Sequence, residues 1–179
     1  MKVFIAGSRE IKQLDEKICI KLNSICEKKF QIIIGDAFGI DSCVQNYLNQ
    51  KKYKDVKVYA SNGFARNNLG NWKVENVKVE NNIKGFEFYA QKDLEMAKQS
   101  DIGFMIWNGR SRGTFNNIVN LLNLNKEVIL YYITNNKYYD IKNFGNLETF
   151  LKGNVKMSSK LKKILPSIDN NKFVQMVLF

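Results

Sequence analysis

The stretch from Asp101 to Tyr132 constrains the fold most, because its pattern predicts a strand, a glycine turn, a helix and a second strand in that order. Ile102 to Trp107 is an apolar run of strand length. Apolar residues three and four positions apart then indicate a helix, namely Phe115, Ile118, Val119 and Leu122. Val128 to Ile133 is a second strand of the buried type. Such units predict an α/β fold.

Residues 108–114 form the turn of this unit, with the sequence Asn-Gly-Arg-Ser-Arg-Gly-Thr. A glycine turn that opens a helix can direct free N–H groups at an anion, and the helix dipole favours negative charge there. Ser111 and Thr114 add hydroxyl donors, and Arg110 and Arg112 add positive charge. The turn is therefore either a phosphate or ribose-phosphate site, or an ordinary turn with solvated arginines.

Two earlier turns share this arrangement. Lys2–Ala6 is the first predicted strand, and Gly7, Ser8 and Arg9 follow it directly. Arg9 is either an anion ligand or a surface cation, and its place at a predicted helix start, against the dipole, favours the anion ligand. The second strand, Gln31–Ile34, leads into a turn that holds Gly35, Asp36, Gly39 and Asp41. These two carboxylates could cap the next helix or bind ribose hydroxyls, and both roles stay open.

The composition limits the chemistry and the partners. The chain has 179 residues and a net charge of +11, which suits one domain with an anionic partner. It has no histidine, so an acid or base must be another side chain and a zinc site is not expected. No run of about 18 apolar residues predicts a membrane span. Three cysteines without a CxxC pair favour reduced thiols in the cytoplasm.

The middle of the chain continues the α/β pattern. Val56–Ala60 is a third strand, and residues 61–85 form a long connection that could be a binding loop. Within this connection, residues 73–80 could form an edge strand, and Trp72 either stacks on a base or pins the loop to the core. Phe88–Ser100 is a predicted helix.

Beyond Ile133 the pattern is weaker. Asn135-Asn136 predicts a turn, and two short helices follow around Leu147 and Leu161. Pro166 would end the second helix, and the apolar Phe173–Phe179 predicts a last strand or a segment at a subunit interface. We expect a homo-oligomer. We divide the chain into a core, 1–135, and a C-terminal helical and strand extension, 136–179, packed on the same domain.

Taken together, these motifs resemble the SLOG superfamily, and most of all its YspA-like branch. The matching segments are 5–9, 35–41, Arg66-Asn67, Lys92-Asp93 with Met96-Ala97, Asp101 and 107–114. The resemblance implies a Rossmann-like open, mostly parallel sheet with helices on both faces. It also implies a nucleotide or nucleotide-derived ligand at the carboxyl ends of the strands.

The chain departs from the lonely-guy enzymes of this superfamily. Those enzymes have a catalytic glutamate shortly after the Gly-Thr, where this chain has Phe115-Asn116-Asn117. An asparagine cannot act as base or nucleophile. We therefore favour a sensor or sequestering module that binds an ADP-ribose-like, cyclic or monophosphate nucleotide. The alternatives are an N-glycosidase, phosphoribohydrolase or deoxyribosyltransferase that would use Asp36 or Asp41, and a DNA-binding protein like DprA.

This interpretation assigns the ligand contacts. The predicted contact residues are Gly7, Ser8, Arg9, Gly35, Asp36, Gly39, Asp41, Arg66, Lys92, Trp107, Gly109, Ser111, Gly113, Thr114 and Asn117. Arg9, Arg66 and Ser111 would bind phosphate. No cofactor or dedicated metal site is required, although Mg²⁺ could accompany a phosphorylated ligand. We expect nucleic-acid binding to be weak and non-specific, and we expect no membrane partner.

Overall fold

The computed structural model describes residues 1–165. Seven strands lie in this range: β1 (Lys2–Gly7), β2 (Gln31–Gly35), β3 (Val56–Ser61), β4 (Lys73–Val77), β5 (Ile102–Trp107), β6 (Val128–Tyr132) and β7 (Lys137–Ile141). Six helices accompany them: α1 (Glu16–Glu27), α2 (Ile40–Gln50), α3 (Gly85–Gln99), α4 (Arg112–Asn123), α5 (Phe144–Asn154) and α6 (Ser159–Lys162).

All seven strands form one sheet in the order β4-β3-β2-β1-β5-β6-β7. Neighbouring strands are parallel except β6 and β7, which are antiparallel. The chain runs outward from β1 to β4 and then returns, so that β5 pairs with the free side of β1. In open α/β sheets, this reversal leaves a crevice at the carboxyl ends of the two central strands, where ligands bind.

Two apolar cores cover the two faces of the sheet. In β1, Val3 and Ile5 belong to the core that α1 and α2 cover, whereas Phe4 and Ala6 belong to the core on the other face, to which α3, α4 and α5 contribute. Successive strand residues point to opposite faces, so a strand buried on both sides must be apolar throughout. This explains the continuous apolar sequence of β5. The predicted α/β fold, an open and mostly parallel sheet with helices on both faces, is confirmed.

The start of α1 differs from the prediction. The expected helix directly after Arg9 is absent, and α1 instead begins at Glu16. Asp15 caps it, since its Oδ1 accepts a hydrogen bond of 2.9 Å from the N–H of Ile18. A capping aspartate followed by a glutamate is a strong start signal, because both carboxylates match the helix dipole. The dipole argument for Arg9 is therefore wrong.

The long connection between β3 and α3 contains the predicted edge strand, β4, which pairs with β3. Trp72, directly before this strand, is buried, and its indole N–H donates to the carbonyl of Tyr53 at 2.9 Å. Trp72 therefore pins the connection to the core and is not a stacking platform.

The C-terminal part adds a strand that the sequence does not predict. β7 extends the sheet through a hairpin with β6, and Asn136 has a positive φ of 54° in the predicted turn. β7 lies at the sheet edge with Lys137 and Asp140 exposed, so it lacks the apolar pattern of a central strand. The two predicted helices correspond to α5 and α6. The division of the chain at residue 135 stays a prediction. The predictions for Pro166 and for Phe173–Phe179 concern residues outside the described range.

In residues 1–165, no helix is both long enough and apolar enough to cross a bilayer.

Candidate functional site

A cleft of about 420 Å³ opens at the carboxyl ends of β1, β2 and β5. This volume lies within the range of roughly 300–1,000 Å³ that is usual for small-molecule sites. The lining includes eight predicted contact residues: Gly7, Arg9, Asp41, Lys92, Ser111, Gly113, Thr114 and Asn117. It also includes Ala6, Glu10, Ala37, Gly85, Phe86, Tyr89, Ala90, Asp93, Met96, Arg110 and Arg112.

The N-terminus of α4 forms one wall of the cleft. Ser111 is the N-cap, and its hydroxyl accepts from the N–H and the hydroxyl of Thr114. The next two N–H groups, of Arg112 and Gly113, have no acceptor within the helix. A side chain at Gly113 would meet no atom within 4 Å, so the helix start faces open space. This wall can accept an anion.

Asn108 holds this wall against the turn after β1. Its Oδ1 accepts hydrogen bonds of 3.0 Å from the hydroxyl of Ser8 and from the N–H groups of Arg110 and Ser111. Its amide donates to Glu10 at 2.8 Å. Ser8 is fully buried. The structure thus places Ser8 behind the cleft as a crosslink between two turns, although the sequence predicts a ligand contact there.

Asn117 has a buried acceptor without a partner. It lies one helical turn beyond Gly113, lines the cleft and is 4% exposed. Its Oδ1 makes no hydrogen bond to any of the described residues. An unpaired buried polar group costs about 1–3 kcal/mol. A hydrogen-bond donor in the cleft would remove this cost, so the atom marks a place where a ligand can bind.

Asp36 and Arg66 bind each other. The guanidinium donates to the carboxylate at 2.7 and 3.0 Å, and the backbone N–H of Arg66 adds a third bond of 3.1 Å. Burial opposes ionisation of Asp36, but the hydrogen bonds from Arg66 and the charge of Lys92 together outweigh it and lower the pKa of the carboxyl. Arg66 is therefore already paired, contrary to the prediction that it binds phosphate, and neither residue lines the cleft. The pair attaches the β3–β4 loop to the turn after β2.

Lys92 is part of the cleft lining but is buried, 3% exposed, although it lies in a helix with polar neighbours. Its ammonium is 2.8 Å from Asp93 and 3.8 Å from Asp36. Burial lowers the pKa of this amine, but Asp93 and Asp41 outweigh burial and raise it. Lys92 is thus a charged centre that holds carboxylates of three segments together. Within residues 1–165, no three carboxylate or thiol side chains converge as a metal-binding group.

Asp41 lies in the first turn of α2 and is 6% exposed. Its Oδ2 accepts from the N–H of Ala37 at 3.2 Å. Burial raises the pKa of this carboxyl to about 7, against the opposing effect of Lys92. A side chain at Gly35 would lie 2.6 Å from Asp41 Oδ2 and 3.1 Å from Lys92 Nζ. Gly35 thus leaves room for these two groups and does not itself line the cleft.

Gly39 allows the turn after β1 and the turn after β2 to lie in contact. Its φ is +84°, and a Cβ atom there would lie 2.5 Å from the backbone of Arg9. Gly85 has a similar positive φ of +65° but open space around it. Since Gly39 does not line the cleft, its role is to let the chain that carries Arg9 approach α2.

Gly39→Ala is expected to lower the free energy of unfolding by about 2–5 kcal/mol. Roughly 1–2 kcal/mol comes from the positive-φ backbone conformation (φ 84°, ψ −129°) and about 1–3 kcal/mol from the clash. Gly85→Ala carries only the backbone cost and is the matched control. Urea denaturation of both variants measures the difference, and equal losses would show that the contact with Arg9 costs nothing.

Two further predicted contacts lie in the core. Trp107 is fully buried, stacks on Phe115 at 5.2 Å between ring centres, and donates from its indole to the carbonyl of Ser111. Gly109 has a φ of +77°, and a side chain there would contact the hydroxyl of Tyr132. Neither residue lines the cleft. Both shape the turn that precedes α4.

Two aromatic residues of the cleft do not follow from the sequence motifs. Phe86 and Tyr89 lie on the first turns of α3, where the Arg112 guanidinium is 3.8 Å from the centre of the Phe86 ring. Arg9 and Arg66 lie 5.3 and 4.6 Å from the centre of the Tyr89 ring. The signal in the sequence is the spacing of Phe86, Tyr89, Ala90 and Asp93 on one helical face, which resembles an ordinary core face.

Comparisons with known proteins show the fold. No protein-family model and no curated protein matches this sequence. A solved structure of DNA processing protein A from Helicobacter pylori, described for its single-stranded DNA binding mode, matches with a TM-score of 0.60. The match covers 99% of this chain and 80% of that chain at 13% identity. The chain therefore shares the Rossmann-like fold of a DprA protein, which agrees with the SLOG resemblance, whereas its YspA-like branch stays a prediction.

Proposed function

We propose that the cleft binds a nucleotide-derived ligand through its ribose-phosphate. The observation that carries the proposal is the unpaired Oδ1 of Asn117, buried one helical turn beyond the open start of α4. The helix start favours an anion, and the buried acceptor requires a donor about 5 Å away, the rise of one turn. A phosphorylated sugar carries both groups at such a separation.

The remaining walls suit the rest of a nucleotide. The N–H groups of Arg112 and Gly113 and the side chain of Arg9 would bind phosphate. Phe86 and Tyr89 offer aromatic surface of the kind that binds bases, and their contacts with Arg112 and Arg9 place that surface beside the cations. Apolar surface with a few convergent polar groups is typical of ligand sites.

Calorimetric titration with AMP, NAD and ADP-ribose tests the proposal. Arg9→Ala is expected to weaken the binding of the tightest ligand by about 1.5–3 kcal/mol, the range for hydrogen bonds to charged groups. Lys28→Ala, an exposed cation at the end of α1, is the control. Binding that is unchanged in Arg9→Ala would assign Arg9 to the surface, and no binding of any nucleotide would overturn the proposal.

Incubation of the wild-type protein with the same nucleotides distinguishes a binding protein from an enzyme. A sensor or sequestering module leaves the nucleotides intact and gains thermal stability with one of them. Free base released by the wild-type protein, and lost in Asp36→Asn or Asp41→Asn, would instead show glycosidic cleavage.

Single-stranded DNA is a second candidate ligand, favoured by the fold shared with a DprA protein and by the net charge of +11. We expect the affinity for an oligothymidylate to be weak and independent of sequence, and to fall steeply between low and moderate salt. Fluorescence anisotropy with labelled oligonucleotides measures it. Tight binding near physiological salt, unaffected by saturating nucleotide, would make DNA the principal ligand.

A further inference from the structure

The buried charges at the floor of the cleft do not balance. Three carboxyl groups lie around Lys92 there: Asp36 from the turn after β2, Asp41 from α2 and Asp93 from α3. Two cations face them, Lys92 from α3 and Arg66 from the β3–β4 loop. Arg66 is committed to Asp36, and Lys92 lies close to Asp93 and Asp36. In the described part of the chain, Asp41 forms no ion pair of its own.

Asp41 also has one oxygen that is free to face a ligand. Its Oδ2 accepts from the backbone of Ala37, whereas its Oδ1 has no hydrogen-bond partner within residues 1–165. The side chain lines the cleft although the residue is more than nine-tenths buried. A buried carboxylate that shares one cation with two other carboxylates is less stable than the carboxylic acid, which needs only one acceptor for its proton.

We propose that Asp41 faces the cleft as a neutral carboxylic acid and donates a hydrogen bond to an acceptor atom of the bound ligand. This inference rests on the proposed function, because it concerns the same cleft. Asp41 thereby selects ligands that place an acceptor, such as a phosphate or ring oxygen or a base nitrogen, against the start of α2. Loss of the proton would replace a donor with an anion facing an anionic ligand.

The surrounding groups act in both directions on Asp41. Lys92 and the Ala37 N–H stabilise the carboxylate, and so does its place in the first turn of α2. Burial and the charges of Asp93 and Asp36 favour the acid. The balance raises the pKa of Asp41 to about 7, with burial as the largest cause. The proton therefore leaves over the neutral range.

ADP-ribose is the suitable probe, since its pyrophosphate carries the same charge throughout this pH range, whereas a phosphate monoester titrates near pH 6. Its affinity for the wild-type protein is expected to be constant below pH 7 and to fall about tenfold per pH unit well above it. Asp41→Asn keeps one acceptor and one donor, so its affinity should vary less than about threefold between pH 6 and 8.5. Asp140→Asn, an exposed carboxylate of β7, should follow the wild type.

Failure of this inference is distinguishable from failure of the proposed function. ADP-ribose bound with the same pH profile by wild type and Asp41→Asn would overturn the inference and leave the nucleotide site standing. If no nucleotide binds, urea denaturation without ligand still shows whether Asp41 is protonated in the folded protein. Because the folded pKa is raised, the wild type should lose stability relative to Asp41→Asn from pH 4 to 7. A constant difference would show that Asp41 is ionised and overturn the inference.

Discussion

Lys92→Met is expected to lower the free energy of unfolding by about 3–5 kcal/mol, the cost of breaking a buried ion pair by removing one partner. The ammonium lies among Asp36, Asp41 and Asp93, and methionine would leave these carboxylates without their shared cation. The methionine side chain is of similar length, so lost charge and not lost volume dominates the effect. Urea denaturation at pH 7 measures it.

The matched control is Lys98→Met, an exposed lysine in the last turn of the same helix, which should change stability by less than about 0.5 kcal/mol. The stability that Lys92→Met loses relative to the wild type should become smaller as the pH falls, because the carboxylates left without a cation can then bind protons. The lysine contribution in the wild type is full below its unfolded pKa and is lost only above the raised folded value. A deficit equal to that of Lys98→Met would show that the cluster is not held by this charge.

Trp107→Ala is expected to destabilise the protein by about 3–5 kcal/mol, the usual cost of removing a buried aromatic side chain. The indole stacks on Phe115 and contacts Tyr132 and Phe150, so its loss opens a cavity where β5, α4, β6 and α5 meet. Because its N–H holds the carbonyl of Ser111, the turn that opens α4 should also loosen.

Trp107→Phe separates these two effects. Phenylalanine keeps most of the aromatic packing but cannot donate to Ser111, so it should recover most of the stability and still weaken nucleotide binding. Thermal unfolding and calorimetric titration of the two variants measure the two quantities. Full stability of Trp107→Ala would contradict the core position of this side chain.

Local pattern explains why the central fold is predictable. In β1, β2 and β5, each strand is a short apolar run with a glycine at its end or two residues beyond it, and the helices α2 and α4 have apolar residues at helical spacing. These signals depend on the period of the backbone and on glycine, both of which are properties of neighbouring residues. They also place Gly7, Asp41 and residues 111–114 at the same edge of the sheet, because parallel strands end together.

Features that depend on distant residues were not predictable in this way. From the sequence alone, Arg66 was free to bind a phosphate, whereas the structure pairs it with Asp36. Lys92 belongs to a helix face that is buried only because α3 packs against the sheet. β7 lacks the pattern of a buried strand because it is an edge strand, and its pairing depends on β6. Trp107 precedes a glycine turn, but the direction in which its ring points was set by the core.

The sequence by itself therefore determined the α/β class, the three glycine turns and the edge of the sheet where they meet, since these follow from local periodicity and chain direction. The tertiary structure alone decided which side chains face the cleft: it paired Arg66 with Asp36, buried Lys92, brought Phe86 and Tyr89 to the rim and left Asn117 Oδ1 without a partner. The physical reason is that charge pairing and burial are properties of groups far apart in the chain, and their partners become known only when the packing brings them together.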